Sequence, residues 1–597
     1  MIRTSTSDRR SWRGPAIILL AALIAIGPML VRGAPRGSDF DFHFTSWLDA
    51  ERNIVMGVLH PHWADSPNLG AGEPRFVFYP PLTWAVGAVL GLVLPWQVVP
   101  VLLSFLMLAG TGLANRALAR EVMDEGPATL AGCIAIFFGY ALFCVYRRSA
   151  YGEMTGGIWI PLILLLMLRR RNPAAGWLRD SFDGSAALLA LVVAGTALSN
   201  GPTLIMALYF LAAVAVVLAV VERTVAPILR AGKATVLGLG VAAIYLIPAV
   251  CERGSMNLHY AITAEQYVVE NSWFFAHHSD IKLYGHDVML RQISWIGTAM
   301  LLATLLAALI AWKRDRLPAE KSWRVLLWMI PVTVLLLQLP VTEPVWAHVP
   351  ALRILQFPWR WFLVLESPMA ILVALAVWSR DARWRKVLFV GFAAVFVAIS
   401  VGVVLSGYRV AQIAELNIMS SFLDGEGTKG MFEYAPPAAS YLMVERNLVS
   451  ACLLKDDTAA VSGQLPPPAW LGNTLECRGK FAAVSLLPEH KEWRGVADGT
   501  GTLVLRLRSF PAWVVTVNGH PVEAEADHRY GLLAVPVPQG NVDVRVDWKT
   551  TEDVEVGRWV SLLSLILVTV LAAMERRLRR SVVGPVQAGT GEAAPVN

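Results

Sequence analysis

Residues 203–221 read TLIMALYFLAAVAVVLAVV, a run without one charged side chain. As a helix rising about 1.5 Å per residue, it is long enough to cross a hydrocarbon layer of about 30 Å. Runs of the same texture lie on either side, over 15–31, 98–118, 129–145, 156–168, 186–198, 235–250, 293–312, 325–339, 361–378, 387–405 and 559–573. Across all 597 residues 55% are apolar and only 16% charged, with a mean hydropathy of +0.52. A water-soluble protein carries roughly a quarter charged residues. The composition therefore excludes a cytosolic enzyme, a nucleic-acid binder and a secreted disulfide scaffold. It predicts a polytopic α-helical membrane protein of about 12 spans.

The net charge of +6 is read first as topology, because lysine and arginine collect on the cytoplasmic side of a membrane. Arginines precede the first run in MIRTSTSDRRSWRG, which predicts a retained first helix with its N-terminus inside rather than a cleaved signal peptide. The run over 82–94 is too short to span and reads as a juxtamembrane helix. With that choice NRALARE, RRRNP, ERTVAPILRAGK, KRDRLPAEKSWR, SRDARWRK and ERRLRR all fall inside. The predicted organisation is a transmembrane domain over 1–406 with a first outer loop at 34–81, an outer domain over 407–557, a last span over 558–574, and a disordered cytoplasmic tail over 575–597. In a bacterium this places both termini in the cytoplasm and the outer domain in the periplasm, with the spans in the inner membrane.

The outer domain has a different texture. TLVLRLRS, AWVVTVNG, GLLAVPVP and VDVRVDW alternate apolar and polar with a period of two, and Asn518-Gly519 is a preferred hairpin dipeptide. An antiparallel β-sandwich is expected, preceded by an irregular, proline-rich part that includes QLPPPAW. Cys452 and Cys477 share this domain, where an oxidising compartment leaves a disulfide or two free thiols as the alternatives.

The outer segments also hold the residues with chemistry to offer. Ser38-Asp39-Phe40-Asp41-Phe42-His43 follows the first span on what reads as an extended or turning segment. Asp39 and Asp41 there suit a general base with an orienting partner, or the ligation of a divalent cation, Mg or Mn. His43, His60, His62, Trp63, Glu73, Arg75 and Tyr79 crowd the same loop as groups for proton transfer and sugar stacking. Arg147 and Arg148, followed by Glu153, end the third span, while Arg353 and Arg360 bracket Trp359 in LRILQFPWRW. These arginines lie outside, against the charge rule. Guanidinium groups at a membrane boundary suit a lipid-linked phosphate through bidentate hydrogen bonds. The ordinary alternatives are solvated acids, arginines snorkelling to headgroups, and tryptophans of an interfacial belt.

Taken together, SDFDFH, GVLHPHW (57–63), GAGEPRFVFYPPLTW, YRRSAYGE, LRILQFPWRW and FPAWVVTVNGHPV resemble the bacterial integral membrane proteins labelled 6-pyruvoyl-tetrahydropterin-synthase-related. No pterin chemistry is implied by that label. The family is in turn similar to the GT-C glycosyltransferases, multispanning enzymes that use polyprenyl-phosphate sugars. The resemblance implies a first-loop acid at Asp39, spaced four before His43, with Asp41 as second candidate. It matches the family's arginine-and-glutamate block at Arg148 and Glu153 and its LQFPWR block at Arg353 and Arg360. With Arg147, these arginines are the candidate donor-phosphate contacts, and His43, His62, Trp63, Glu73, Tyr79, Glu153 and Trp359 are the candidate substrate contacts. Where the family usually carries arginine-tryptophan, this chain has His62-Trp63, so a positive contact there is open or pH-dependent. The implied reaction is inverting transfer of a sugar from a polyprenyl-phosphate donor to an extracytoplasmic glycan, lipid or protein, with no required cofactor and a divalent cation as an option. Two other readings stand beside it: a flippase or transporter of a lipid-linked saccharide, and a non-catalytic assembly factor for envelope polysaccharide. Transport would call for ionisable groups near mid-membrane, whereas the runs look clean with their ionisable residues at the ends.

Overall fold

A computed structural model of the chain describes residues 12–137, 139–169, 186–379, 381–440, 442–444, 448–454 and 477–582. The N-terminal arginines before Trp12, most of RRRNP, the QLPPPAW stretch and the tail beyond Val582 lie outside the described residues. A helix stands at each of the apolar runs. Among the described residues, eight helices are long and apolar enough to span a membrane, and up to 10 are if two sharply bent pairs count as single spans. The bent pairs are Ala226–Val241 with Ala243–Ser255, and Lys321–Leu337 with Pro340–His348. In the second the break falls at Pro340, which has no N–H to continue a helix. Arg13–Ala25 and Ala186–Ser199 are shorter, so the number 12 is an upper reading of the same pattern. The first run is itself split, since Pro28 starts a separate short helix, Gly27–Arg32.

The segment over 34–81 differs from its expectation. SDFDFH is not extended: Asp39 is the N-cap of a helix, Phe40–Val55, that buries Phe40, Phe44, Trp47 and Leu48 against the short apolar helix Pro81–Gly91. The spacing of those four residues is helical, and it marks the face that packs. The two helices meet at Gly87, where an added Cβ would come within 2.3 Å of the Trp47 ring. That short helix starts at Pro81, whose missing N–H is harmless in a first turn.

Among the described residues, the domain that precedes the last apolar run is a sandwich of two antiparallel sheets. Its strands are β1 (Ala451–Leu453), β2 (Lys480–Leu487), β3 (His490–Ala497), β4 (Gly501–Arg508), β5 (Trp513–Val517), β6 (His520–Val522), β7 (Glu525–Ala526), β8 (Leu532–Val537) and β9 (Gly540–Trp548). One sheet has the order β1-β4-β8-β7 and the other β2-β3-β9-β5-β6. Leu503, Leu505 and Val535 of the first pack against Trp493, Val515 and Val544 of the second. Asn518 and Gly519, at φ 51° and 80°, form the two-residue turn that pairs Val517 with His520. Cys452 and Cys477 form a disulfide across 25 residues of sequence.

The segment leading into the sandwich is woven onto the first loop. Ala411 N–H donates to Ala34 O at 2.7 Å, Arg36 N–H to Arg409 O at 2.8 Å, Thr428 N–H to Ser66 O at 2.7 Å, and Leu69 N–H to Thr428 O at 2.8 Å. The first loop and the sandwich therefore share one side of the helical domain. The chain is a multi-pass helical membrane protein carrying an all-β domain.

Candidate functional site

Asp39 is docked through its backbone before its carboxylate does anything. Its N–H donates to Arg148 O at 2.8 Å, and Gly37 N–H donates to Ser149 Oγ at 3.0 Å. This brings the start of the first-loop helix onto the end of the third span. There the helix widens into a π-turn, Cys144–Arg148, closed by Ser149 at φ 53°, a local irregularity often found at functional sites. Arg148 Nη2 then donates to Asp39 Oδ2 at 2.9 Å.

Behind this pair lies a chain of ions. Arg148 Nη1 donates to Glu153 Oε2, and Arg360 Nε reaches the same oxygen at 3.2 Å. The other Glu153 oxygen accepts from the Tyr140 hydroxyl. Arg148 is 4% exposed, Glu153 3% and Arg360 7%, whereas the Asp39 side chain is 32% exposed. Three buried ionic groups thus stand behind one accessible carboxylate. Opposite charges this close and this dry hold one another firmly, and removing any one strands its partner.

Aromatic rings wall the cluster. His43 lies one helical turn beyond Asp39, with ring centroids 5.3 Å from Tyr151 and 5.8 Å from Tyr79. Burial, aided by Arg148 and Arg75 and opposed by Asp39, pushes the His43 imidazole down to about 4, so it is neutral at pH 7. Burial first, then the Asp39 carboxylate, pushes the Tyr79 phenol upward, so it keeps its proton.

The structure brings together Asp39, His43, Tyr79, Arg148, Glu153 and Arg360. Other candidates go elsewhere. Asp41 pairs with Arg36 at 2.8 Å and is 51% exposed. Arg147 points outward and donates to Gln292 at 3.0 Å, and Arg353 pairs with Glu270 at 2.6 Å, so neither joins the buried pair. Trp359 is not on an open rim: it is buried and stacked on Phe357 at 4.4 Å. Glu73 is fully buried, paired with Arg75 at 2.7 Å and accepting from Asn68 and from Met431 N–H, each at 3.0 Å. It ties the loop to the lead-in of the sandwich. His62 and Trp63 pack under that domain, His62 stacked on Trp548 at 5.9 Å and Trp63 edge-on to Trp513 at 5.4 Å. Burial, reinforced by neighbouring His60, pushes the His62 imidazole down to about 3, so it offers no positive contact at neutral pH.

Asp39 and Asp41 do not fit a shared divalent cation as they stand. Both Asp41 oxygens accept from Arg36, while those of Asp39 accept from Ser38 and Arg148. Among the described residues no three His, Cys, Asp or Glu side chains gather as a metal site.

Two members of the neighbourhood had not been anticipated. Tyr140 is hidden in an apolar run. Glu366 sits inside the tenth run, 1% exposed, against the expectation that ionisable residues keep to the ends. Its signal was present as a lone acid in FLVLESPMAILVALAV.

No protein-family model matches the chain, and no curated protein matches it. Among solved structures it is similar to the oligosaccharyltransferase of Archaeoglobus fulgidus. The apo form is 13% identical with a TM-score of 0.38 over 70% of this chain and 56% of that one. The same organism's AglB with an inhibitory peptide and a dolichol-phosphate is 12% identical, with a TM-score of 0.40 over 68% and 57%. A form tethered by a disulfide to an acceptor peptide containing the NVT sequon is 13% identical, with a TM-score of 0.42 over 72% and 60%. The chain spans 56–60% of the length of these proteins.

Proposed function

We propose that the chain is a membrane glycosyltransferase that moves a sugar from a polyprenyl-phosphate donor to an extracytoplasmic glycan, lipid or protein acceptor, in a bacterial inner membrane with the sandwich in the periplasm. The observation that carries this reading is the 2.9 Å link between an accessible carboxylate, Asp39, and a buried arginine that shares Glu153 with a second. Asp39 takes the proton of an acceptor hydroxyl. The hydroxyl oxygen attacks the anomeric carbon, and the bond from that carbon to the donor phosphate breaks with its electron pair going to phosphate. Arg148 and Arg360 stabilise the charge that collects there. Attack opposite the leaving group inverts the anomeric configuration. Glu153 holds the two guanidinium groups side by side before any substrate arrives, so little reorganisation is left for the reaction. His43 and Tyr79, both neutral, line the approach, and the sandwich presents the acceptor.

The experiment is transfer from labelled polyprenyl-phosphate sugars to membrane acceptors by purified protein. Loss of a general base typically costs about 10²- to 10⁴-fold. Asp39→Asn is expected to fall by at least about 100-fold, while Asp41→Asn stays near wild type. Unchanged transfer in Asp39→Asn would sink the assignment. One observation favours the rival reading, translocation of a lipid-linked saccharide: Glu366 lies within a span, beside a broken helix, where transport sites are built.

A further inference from the structure

Glu366 is a group that the transfer mechanism does not use. It stands on the helix Phe362–Val377, within a run that qualifies as a membrane span, and is 1% exposed. A carboxylate there without a cation is very costly to leave ionised, and among the described residues no lysine or arginine pairs with it. Its Oε1 accepts the Ala141 N–H at 2.8 Å. Its Oε2 has no hydrogen-bond partner among the described residues. Glu366 lines a small void together with Thr111, Cys144, Ala141 and Met154, with room for about one water.

The place of that hydrogen bond explains why an acid is kept there. The third span breaks at Gly139, at φ 69°, and restarts at Tyr140. A left-handed residue inside a membrane helix leaves the next N–H groups without their carbonyl partners, and lipid offers no replacement. Ala141 carries one of these N–H groups. The restarted segment bears Tyr140, which donates to Glu153, and ends at Arg148, which meets both Glu153 and Asp39. Whatever fixes Ala141 thus fixes the register of the arginine cluster.

We propose that Glu366 is a positioning residue working as a neutral carboxylic acid: Oε1 caps the restarted helix at Ala141, and the acid hydroxyl on Oε2 binds a water in the adjoining void. Thr111 and Cys144 supply the further polar contacts such a water needs. Thr111 spends its own proton on Met107 O at 2.9 Å, which leaves its oxygen lone pairs free to accept from that water. The void then belongs to the back wall of the cluster rather than to a conduction path.

This placement rests on the glycosyltransferase reading for its binding and activity readouts, and not for the infrared band. Three proteins are compared, wild type, Glu366→Gln and Glu366→Leu, by hydrogen–deuterium difference infrared spectroscopy at neutral pH and by binding of a polyprenyl phosphate. The expected results are a protonated-carboxyl C=O band in wild type that vanishes in Glu366→Gln, wild-type binding in Glu366→Gln, and binding at least about 10-fold weaker in Glu366→Leu. In transfer assays the Glu366→Leu defect falls on the donor KM more than on kcat, and the amide restores it. Absence of the band, or a Glu366→Gln variant as damaged as Glu366→Leu, overturns the proposal, because the group would then need to ionise as translocation requires. Should Glu366→Leu fail to fold, the infrared band and the Glu366→Gln binding still decide. A wild type that carries the band but binds no polyprenyl phosphate counts against the transferase reading and not against the neutral acid.

Discussion

Asp49 shows how a single buried acid ties stability to pH. It is fully buried on the first-loop helix, accepting from Ser66 N–H at 3.1 Å and Ser66 Oγ at 2.5 Å. Burial outweighs those bonds and the nearby Arg75, and raises its carboxyl from 3.8 to about 6. Between about pH 4 and 6 the folded chain holds a proton that the unfolded chain has released. The stability this contributes is full below about pH 4 and is lost as the pH rises through about 6, up to about 3 kcal/mol in all. The difference in unfolding midpoint between wild type and Asp49→Asn, followed in detergent from pH 4.5 to 7.5, should therefore change with pH. A constant difference would refute the assignment. At this scale the sequence supplied the residue types. SDFDFH, YRRSAYGE and LRILQFPWRW named four ions that meet, Asp39, Arg148, Glu153 and Arg360, but also named Asp41, Arg147 and Arg353, which turn elsewhere. Neighbours in sequence such as Arg147 and Arg148 have identical chemistry and opposite burial, and the turn of a π-helix decides between them.

Among the elements, hydrophobic period was the dependable signal. Apolar runs became helices, and period-two stretches became β4, β5, β8 and β9. The first-loop helix was missed because its aromatic and acidic residues were weighed as site chemistry, while its packing face of Phe40, Phe44, Trp47 and Leu48 is itself helical in spacing. The disulfide between Cys452 and Cys477 clips β1 to the segment that enters β2. By loop-closure entropy over 25 residues it contributes about 3.5 kcal/mol. Cys452→Ser with Cys477→Ser is expected to lower the unfolding temperature of the sandwich domain while leaving the helical domain's transition in place. Coincident shifts of both would show instead that the two parts unfold as one.

For the whole molecule, the weave between the first loop and residues 408–434 makes the sandwich part of the site's support. Trp63 is the clearest anchor, buried among Trp513, Trp548 and Phe510 with centroids 5.4, 6.1 and 6.1 Å away. Truncating a buried tryptophan costs about 3–5 kcal/mol. Trp63→Ala should raise deuterium uptake in residues 57–73 and along β5 and β9 and reduce transfer, with the ion cluster's residues unchanged. Unaltered exchange in those segments would show that the loop is held by its backbone bonds alone.

The sequence by itself determined the apolar helical runs, the β character of the domain before the last run and the residue types available for chemistry, because these follow from local hydrophobic period and composition. The tertiary structure alone decided which of those residues meet. Asp39 reaches Arg148 across 109 positions and Ala141 reaches Glu366 across 225. Contacts over such distances are set by how helices pack and where they break, and no local pattern along the chain encodes them.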